Sequence, residues 1–422
     1  MMAGKEAAAG ANNFGPRIMA LADHLARWSE QPDALTVTYF SEAHKKVAAD
    51  LGGLLRAAGM NVRTDPIGNV IGTYAAASTG AKTLLLGSHY DTVRNGGKYD
   101  GRLGILTPLV LIEHLNRTKQ KLPFNIDLCC FSEEEGVRYP IAYLGSSTLA
   151  GKLTPKILES RDDNNVMLRD VLLEAGVDVK ALHNFALKPD NLIGYVELHI
   201  EQGPTLLDAK VPVGVVTAIA SAVRYRVSVE GKAGHAGTVP MQFRRDAAVA
   251  AAEIVLAVER CCSGTPSLVG TVGQLNVPNG AMNIIPGHCD LTLDIRAGTD
   301  SLRDEGLAKV MAEIKRIADE RKVNIRIDEA LRMAAIPMSK DFQDRLVAAS
   351  ERLGVKPIML PSGAGHDAAM MSSLTPSAMM FLRCGNGGVS HSPLEIITEE
   401  DADFAARVLF DFLLNLAEEH HA

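Results

Sequence analysis

The sequence predicts an α/β protein: a mixed, largely parallel sheet covered by helices on both faces and interrupted once by a smaller α+β domain. Three observations carry this expectation. Short continuous apolar runs such as Thr83-Leu84-Leu85-Leu86 alternate with helical spacing, the pattern of strands buried on both faces. Between about residues 223 and 332 that pattern gives way to alternating strands and two helices in the order βαββαβ, a split βαβ unit that is compact by itself. Finally, 422 residues exceed what one hydrophobic core usually supports, and 47% hydrophobic residues supply material for two.

Taken in order, Val47, Leu51, Leu54 and Leu55 stand at helical spacing, and Gly59 closes that helix. Pro66-Ile67-Gly68 marks the turn of a hairpin-like pair. The Leu84 strand follows, then an apolar helix from Ile105 to Leu115, and strand-like runs at Phe124 to Phe131, Ile193 to Ile200, Val211 to Ile219 and Ala378 to Leu382. In the interrupting segment Val223, Tyr225, Val227 and Val229 alternate as a half-buried strand does. An Ala-rich helix over 245–258, strands near 268–277 and 289–295, a helix over 302–317 and a strand over 323–327 complete it. The expected organisation is therefore a catalytic domain of residues 1–220 and 334–422, with a ferredoxin-like domain of residues 221–333 inserted through two crossings.

A net charge of -7 without any block of like charges argues against nucleic acid or an anionic membrane as the main partner and leaves a small molecule. No apolar run approaches a membrane span, and the N-terminal MMAGKEAAAGANNFGPR lacks the apolar core of a secretory signal, so a cytoplasmic location is expected. Cys129-Cys130, Cys261-Cys262, Cys289 and Cys384 show no CxxC spacing and read as reduced, mostly buried thiols rather than metal ligands.

The chemistry concentrates where strands end. Residues 87–104, GSHYDTVRNGGKYDGRLG, deliver His89 and Asp91 from an apolar strand into a Gly-rich loop that presents Asp100. Asp91, two residues from His89 on an extended backbone, points the same way and can orient its imidazole. Four further strand ends look alike: Glu133-Glu134-Glu135, His199 and Glu201 in ELHIEQG, His366-Asp367 in SGAGHD, and His391 in GGVSHSPLE. Each has a bland counterpart. Three consecutive acids commonly form a solvated turn, and a lone histidine in an apolar strand, such as His199, is more often a satisfied core residue than a ligand. Together, however, His89, Asp100, Glu135, His199 and His391 make the ligand set that two divalent ions sharing a bridging carboxylate require, with Zn or Mn first and Co or Ni also accommodated. The neighbouring Glu134 points away from Glu135, which lets one bind metal and the other act as a base.

The motifs GSHYDTVRNGGKYDG, EEEGVRY, ELHIEQGP, GHAGTVPM, NIIPG, DIR, SGAGHDA and SHSPLE, in this order over nearly the whole chain, resemble the hydantoinase/carbamoylase family of amidohydrolases. These are relatives of the dinuclear aminoacylases and aminopeptidases. The resemblance implies an aminopeptidase-like catalytic domain, an inserted domain that acts as lid and dimerisation surface, and a homodimer. It implies that Asp100 bridges two metals, with His89 and His199 on one and Glu135 and His391 on the other. It makes Glu134 the general base to a bridging hydroxide, with Asp91 supporting His89. Gln202, His235, Asn283, Arg296 and Gly365 match positions that face the substrate in that family, and His235 is the candidate donor to a developing oxyanion.

The reaction so implied is hydrolysis of the ureido C–N bond of a small carboxylate substrate, an N-carbamoyl-L-amino acid or allantoate, with release of ammonia and carbon dioxide. Arg296 offers a fork for the substrate carboxylate, weighed against a structural ion pair with Asp294 or Asp290 of its own strand. Ala222-Val223-Arg224-Tyr225 and Val239 depart from residues frequent in the family and leave the choice of ureido acid open. Two other classes compete: a dinuclear aminopeptidase or aminoacylase, against which His199 stands where those relatives tend to carry a carboxylate, and a non-catalytic binding protein, which would tolerate loss of ligands that this chain retains.

Overall fold

Residues 13–420 are described by the computed structural model; most of the N-terminal segment read above for a secretory signal lies outside them. The chain divides into two compact units, Met1–Val216 with Met338–Met359 and His366–Ala422, and Thr217–Pro337 with Leu360–Gly365. The second unit thus starts at Thr217 rather than 221, ends at Pro337 rather than 333, and takes in a short later segment. The end of the Val213–Ile219 strand explains the wider bounds, because Ala218 and Ile219 pair with Pro337 and Ile336.

In the first unit the strands lie side by side in the order Asn61–Thr64, Val70–Tyr74, Asn125–Phe131, Thr83–His89, Leu192–Ile200, Ser377–Leu382, Val213–Ile219. The four central strands, from Asn125–Phe131 to Ser377–Leu382, are parallel. Those on the flanks are antiparallel, including Val213–Ile219. The central strands read as continuous apolar runs because both faces are covered: the last six residues of Thr83–His89 are all buried. The helix Leu103–Arg117 is apolar nearly all round, and every residue from Leu103 to Ile112 is buried, Pro108 included. Leu84, Leu86, Ile126, Leu128, Val196 and Leu198 share one core with Leu109, Phe412 and Leu413. Parallel neighbours expose their carboxyl ends along one edge, and that edge carries the functional side chains. Among the described residues no helix is long and apolar enough to cross a membrane, and all six cysteines are free.

The second unit forms an antiparallel sheet with Ser221–Glu230 between Asn324–Met333 and His288–Ala297, and Leu268–Thr271 and Leu275–Asn276 both on the far side of His288–Ala297. In strand numbers this is the order fourth, first, third, second of a βαββαβ unit. Along Ser221–Glu230 the buried Val223, Val227 and Val229 alternate with exposed Arg224 and Arg226. Helices Ala247–Cys262 and Asp300–Arg321 close the apolar face, with Ile254, Val258, Ile314 and Ile317 packed on Val227, Leu291 and Leu293. The segment expected as one strand over 268–277 is two short pieces. Thr292 bonds Gln274 through both its backbone N–H and its hydroxyl oxygen, and draws that residue out of the regular ladder.

Candidate dinuclear metal centre

His89 ends the Thr83–His89 strand, and its ring is oriented by the next residues of the chain. Nδ1 lies 3.2 Å from the Asp91 carbonyl and 3.4 Å from Asp91 Oδ1, so the ring proton sits on Nδ1 and Nε2 is turned to Asp100, 3.7 Å from Oδ1. His199, near the end of Leu192–Ile200, is set in the same way. Its Nδ1 donates to the Ile200 carbonyl at 2.9 Å, and Nε2 faces Asp100 Oδ1 at 3.2 Å. Both rings therefore turn Nε2, the nitrogen that would bind a metal once its proton is given up, toward Asp100.

Asp100 stands between two groups of ligands. Its Oδ1 faces His89 and His199; its Oδ2 lies 3.1 Å from His391 Nε2, which in turn is 3.7 Å from Glu135 Oε1. His89, Asp100 and His199 form one cluster with metal-ligand spacing, and Asp100, Glu135 and His391 form a second. Glu135 Oε1 is buried without a hydrogen-bond partner, the condition a metal ion would relieve. Gly101 makes the first cluster possible: its φ is +66°, and a Cβ there would lie 2.4 Å from the His89 ring.

The acidic run is a buried strand end rather than a solvated turn. Glu133 and Glu134 are buried and Glu135 nearly so, and the loop folds back because Asp91 accepts the backbone N–H of Glu134 at 3.1 Å and of Glu135 at 3.2 Å. Asp91 thus ties the His89 strand to the acidic loop, a role beyond the one expected. Burial pushes the Glu134 carboxyl well above its usual range, with His89 opposing and Glu135 adding to the rise. Glu135 is raised to about 7, by burial first and then by Asp100. Asp100 runs the other way: against its burial, hydrogen bonds from His199 and His391 and charge from His199 and His89 hold it well below the usual carboxylate range.

Gln202, expected at the substrate, has Nε2 3.0 Å from Asp100 Oδ2, 3.4 Å from Ser390 Oγ and 3.2 Å from His391 Nε2. It stands against the Asp100 carboxylate. The remaining substrate candidates belong to the second unit. His235 is exposed and pairs with Ile284 across a two-residue ladder next to Asn283; its Nδ1 accepts from Gly237 N–H at 3.0 Å, which leaves Nε2 as the donor of the neutral ring. Arg296 shows the ion pair weighed against substrate binding. Nε and Nη2 hold the two oxygens of Asp294 at 2.9 and 3.0 Å, and Nη1 donates to the Gly363 carbonyl at 2.7 Å, two residues before Gly365.

Several supporting residues were not picked out from the sequence. Glu395 of SHSPLE accepts the backbone N–H groups of Tyr99 and Asp100 at 2.9 and 3.1 Å and the Ser390 hydroxyl at 2.9 Å, fixing the loop that carries Asp100. Glu197, one strand repeat before His199, is fully buried and accepts from Ser88 Oγ at 2.7 Å and Ala368 N–H at 2.9 Å. His366, by contrast expected with Asp367 at a strand end, lies edge-on to His199 with ring centroids 4.5 Å apart. The period of two along the strand marks Glu197 as sharing the face of His199; nothing in sequence marks Glu395 beyond the motif that contains it.

The model of peptidase family M20/M25/M40 matches residues 85–415. The chain is 36% identical over 405 residues to the N-carbamoyl-L-amino acid amidohydrolase of Geobacillus stearothermophilus, covering 96% of this chain and 99% of that protein. It is 36% identical over 425 residues to allantoate deiminase 1 of Glycine max, covering 93% and 88%. An amidase of the hydantoinase/carbamoylase family from Burkholderia multivorans superposes with a TM-score of 0.89 at 29% identity, over 96% of this chain and 98% of that one. The chain therefore belongs to peptidase family M20/M25/M40, in its branch of hydantoinase/carbamoylase amidohydrolases.

Proposed function

We propose that this chain is a metal-dependent amidohydrolase that cleaves the ureido C–N bond of a small carboxylate substrate, an N-carbamoyl-L-amino acid or allantoate. The observation that carries the reading is Asp100, whose two carboxylate oxygens are turned to two separate ligand clusters. The names of the two relatives above supply the substrate classes. The residues fit two divalent ions, Zn or Mn first and Co or Ni as alternatives, with His89 and His199 on one, Glu135 and His391 on the other, and Asp100 shared. Bound there, two such ions would polarise a carbonyl and make hydroxide available at neutral pH.

The chain's own residues do the rest. Glu134, a buried carboxyl with a raised pKa beside His89, takes the proton of the attacking water and returns it to the departing nitrogen. Asp91 keeps Glu134 and His89 in register. His235 donates from Nε2 to the developing oxyanion, Arg296 gives up Asp294 to meet the substrate carboxylate, and Asn283, Gln202 and Gly365 are further substrate contacts. The released carbamate decomposes to ammonia and carbon dioxide. We assign the first unit to the catalytic domain and the second, Thr217–Pro337 with Leu360–Gly365, to an inserted domain that closes on substrate and carries a homodimer contact.

The test is ammonia release from allantoate, N-carbamoyl-L-amino acids and N-carbamoyl-β-alanine with the manganese, zinc and cobalt forms, dipeptides serving as the contrasting substrates. Turnover of dipeptides alone would overturn the reading. Glu134→Gln should keep both metals and lose about 10²- to 10⁴-fold in kcat; full activity would remove Glu134 from its role.

A further inference from the structure

Residues 65–69, Asp-Pro-Ile-Gly-Asn, turn the chain between the strands Asn61–Thr64 and Val70–Tyr74 and contribute nothing to the ligand set. Asn69 is nevertheless fully buried, and its amide is used at every position. Oδ1 accepts the Ser132 N–H at 2.9 Å, and Nδ2 donates to the Gly145 carbonyl at 3.0 Å and to Asp65 Oδ2 at 2.7 Å. Ser132 is the last residue before Glu133, and the Gly145 N–H closes back on the Glu133 carbonyl at 3.2 Å. One side chain therefore grips both ends of residues 133–144, the loop that carries Glu134 and Glu135. The grip is close: a Cβ on Gly145 would lie 2.5 Å from Asn69 Oδ1.

The turn has no freedom to carry Asn69 elsewhere. Asp65 Oδ1 accepts the N–H groups of Ile67 and Asn69 at 3.0 and 2.9 Å. The hydroxyls of Tyr39 and Tyr90 donate to the Ile67 and Gly68 carbonyls at 2.9 and 2.8 Å. From the opposite side His44 Nε2 holds the Ser132 carbonyl at 2.7 Å, so both backbone groups of Ser132 are taken by buried side chains. Only an amide offers one acceptor and two donors in one plane. An aspartate would keep the acceptor, lose both donors and stand beside Asp65; an alanine would leave three buried partners unpaired.

We propose that Asn69 is the positioning residue of the acidic loop, holding Glu134 and Glu135 in place through Ser132 and Gly145. The proposal rests on the function given above to those two glutamates. Catalytic groups tolerate little displacement, and a shift of about 1 Å costs about a hundredfold in rate.

Asn69→Ala and Asn69→Asp test it beside Asn125→Ala. Asn125 braces another loop in the same manner, with Oδ1 accepting from Ala76 N–H at 2.9 Å and Nδ2 donating to the Ala81 carbonyl at 2.8 Å, at the opposite end of the strand that leads to the acidic loop. Three quantities are read: kcat and KM on a ureido acid that the wild type hydrolyses, Mn2+ binding to the metal-free protein by titration calorimetry, and the thermal midpoint. The Asn69 variants should lose about a hundredfold in kcat with little change in KM. They should bind one of two Mn2+ ions roughly 10- to 100-fold more weakly. Asn125→Ala should lower the thermal midpoint alone. Wild-type kcat and Mn2+ affinity in a folded Asn69 variant would overturn the proposal, as would equal losses in Asn125→Ala at the same thermal midpoint. If Asn69→Ala does not fold, Asn69→Asp, which keeps the acceptor for Ser132, decides. If the wild type hydrolyses no ureido acid, the reading of function fails, and the Mn2+ titration still decides for Asn69.

Discussion

Replacing Asp91 by asparagine changes a single atom and should damage the site from two directions. Asp91 Oδ1 accepts the Glu134 N–H at 3.1 Å and faces His89 Nδ1 at 3.4 Å, while Oδ2 accepts the Glu135 N–H at 3.2 Å. Whichever way the amide is turned, one of the two backbone N–H groups meets an NH2 in place of an acceptor. If that NH2 stands at the Oδ1 position it also confronts His89 Nδ1, whose proton is already committed to the Asp91 carbonyl at 3.2 Å. A buried donor left unpaired costs about 1 to 3 kcal/mol, and the bond that survives loses its charge assistance, so a loss of about 2 to 4 kcal/mol in the metal-loaded protein is expected. The metal-loaded form is the one to measure, because in the metal-free protein removing a charge from a crowd of carboxylates works the other way. Metal affinity should fall roughly 10- to 100-fold, as it does when the group orienting a ligating histidine is lost. Denaturant unfolding and Mn2+ titration read the two effects separately. An Asp91→Asn protein with unchanged stability and unchanged affinity at both sites would refute the assignment of Asp91 as the tie between His89 and the acidic loop.

Two further predictions concern particular atoms. Gly101→Ala places a Cβ where the His89 ring stands and demands a left-handed backbone costing about 1 to 2 kcal/mol, so Mn2+ binding and turnover should fall together; calorimetric titration with normal affinity would show that the ring is not displaced. His44 gives a pH signature. Burial lowers its pKa from 6.5 to about 4, so the unfolded chain takes up a proton that the folded chain refuses, and this contribution to stability is lost as pH falls from about 6.5 to about 4. His44→Gln lacks that titration. The unfolding free energy of the wild type minus that of the variant should therefore drop by about 3 kcal/mol across the window, and a pH-independent difference would contradict a buried neutral ring.

The candidate ligands and the topology are legible together in the sequence because the same feature encodes both. Each apolar run that ends in polar, metal-competent residues is a strand buried on two faces, and parallel neighbours bring their carboxyl ends to one edge. His89 and Asp100 follow one central strand, Glu134 and Glu135 the next on one side, His199 closes the neighbour on the other, and His391 follows the strand beyond it. Six residues spread over some three hundred positions thus converge through a single rule of sheet architecture. The braces obey no such rule. Glu395 reaches the backbone of Asp100 across 295 positions, Asn69 reaches Ser132 across 63, and Asp91 reaches Glu134 across 43. In each the partner is a peptide group, which every residue possesses, so neither periodicity nor residue type can mark it in advance. Arg296 is limited in a different way. Its sequence allows a salt bridge along its own strand and a substrate carboxylate equally, because both ask for the same fork, and only the placement of Asp294 shows that the first is made. Residue type therefore identifies the chemistry a site performs, and long-range backbone hydrogen bonds decide how rigidly it is held; in this chain the second information first becomes visible in three dimensions.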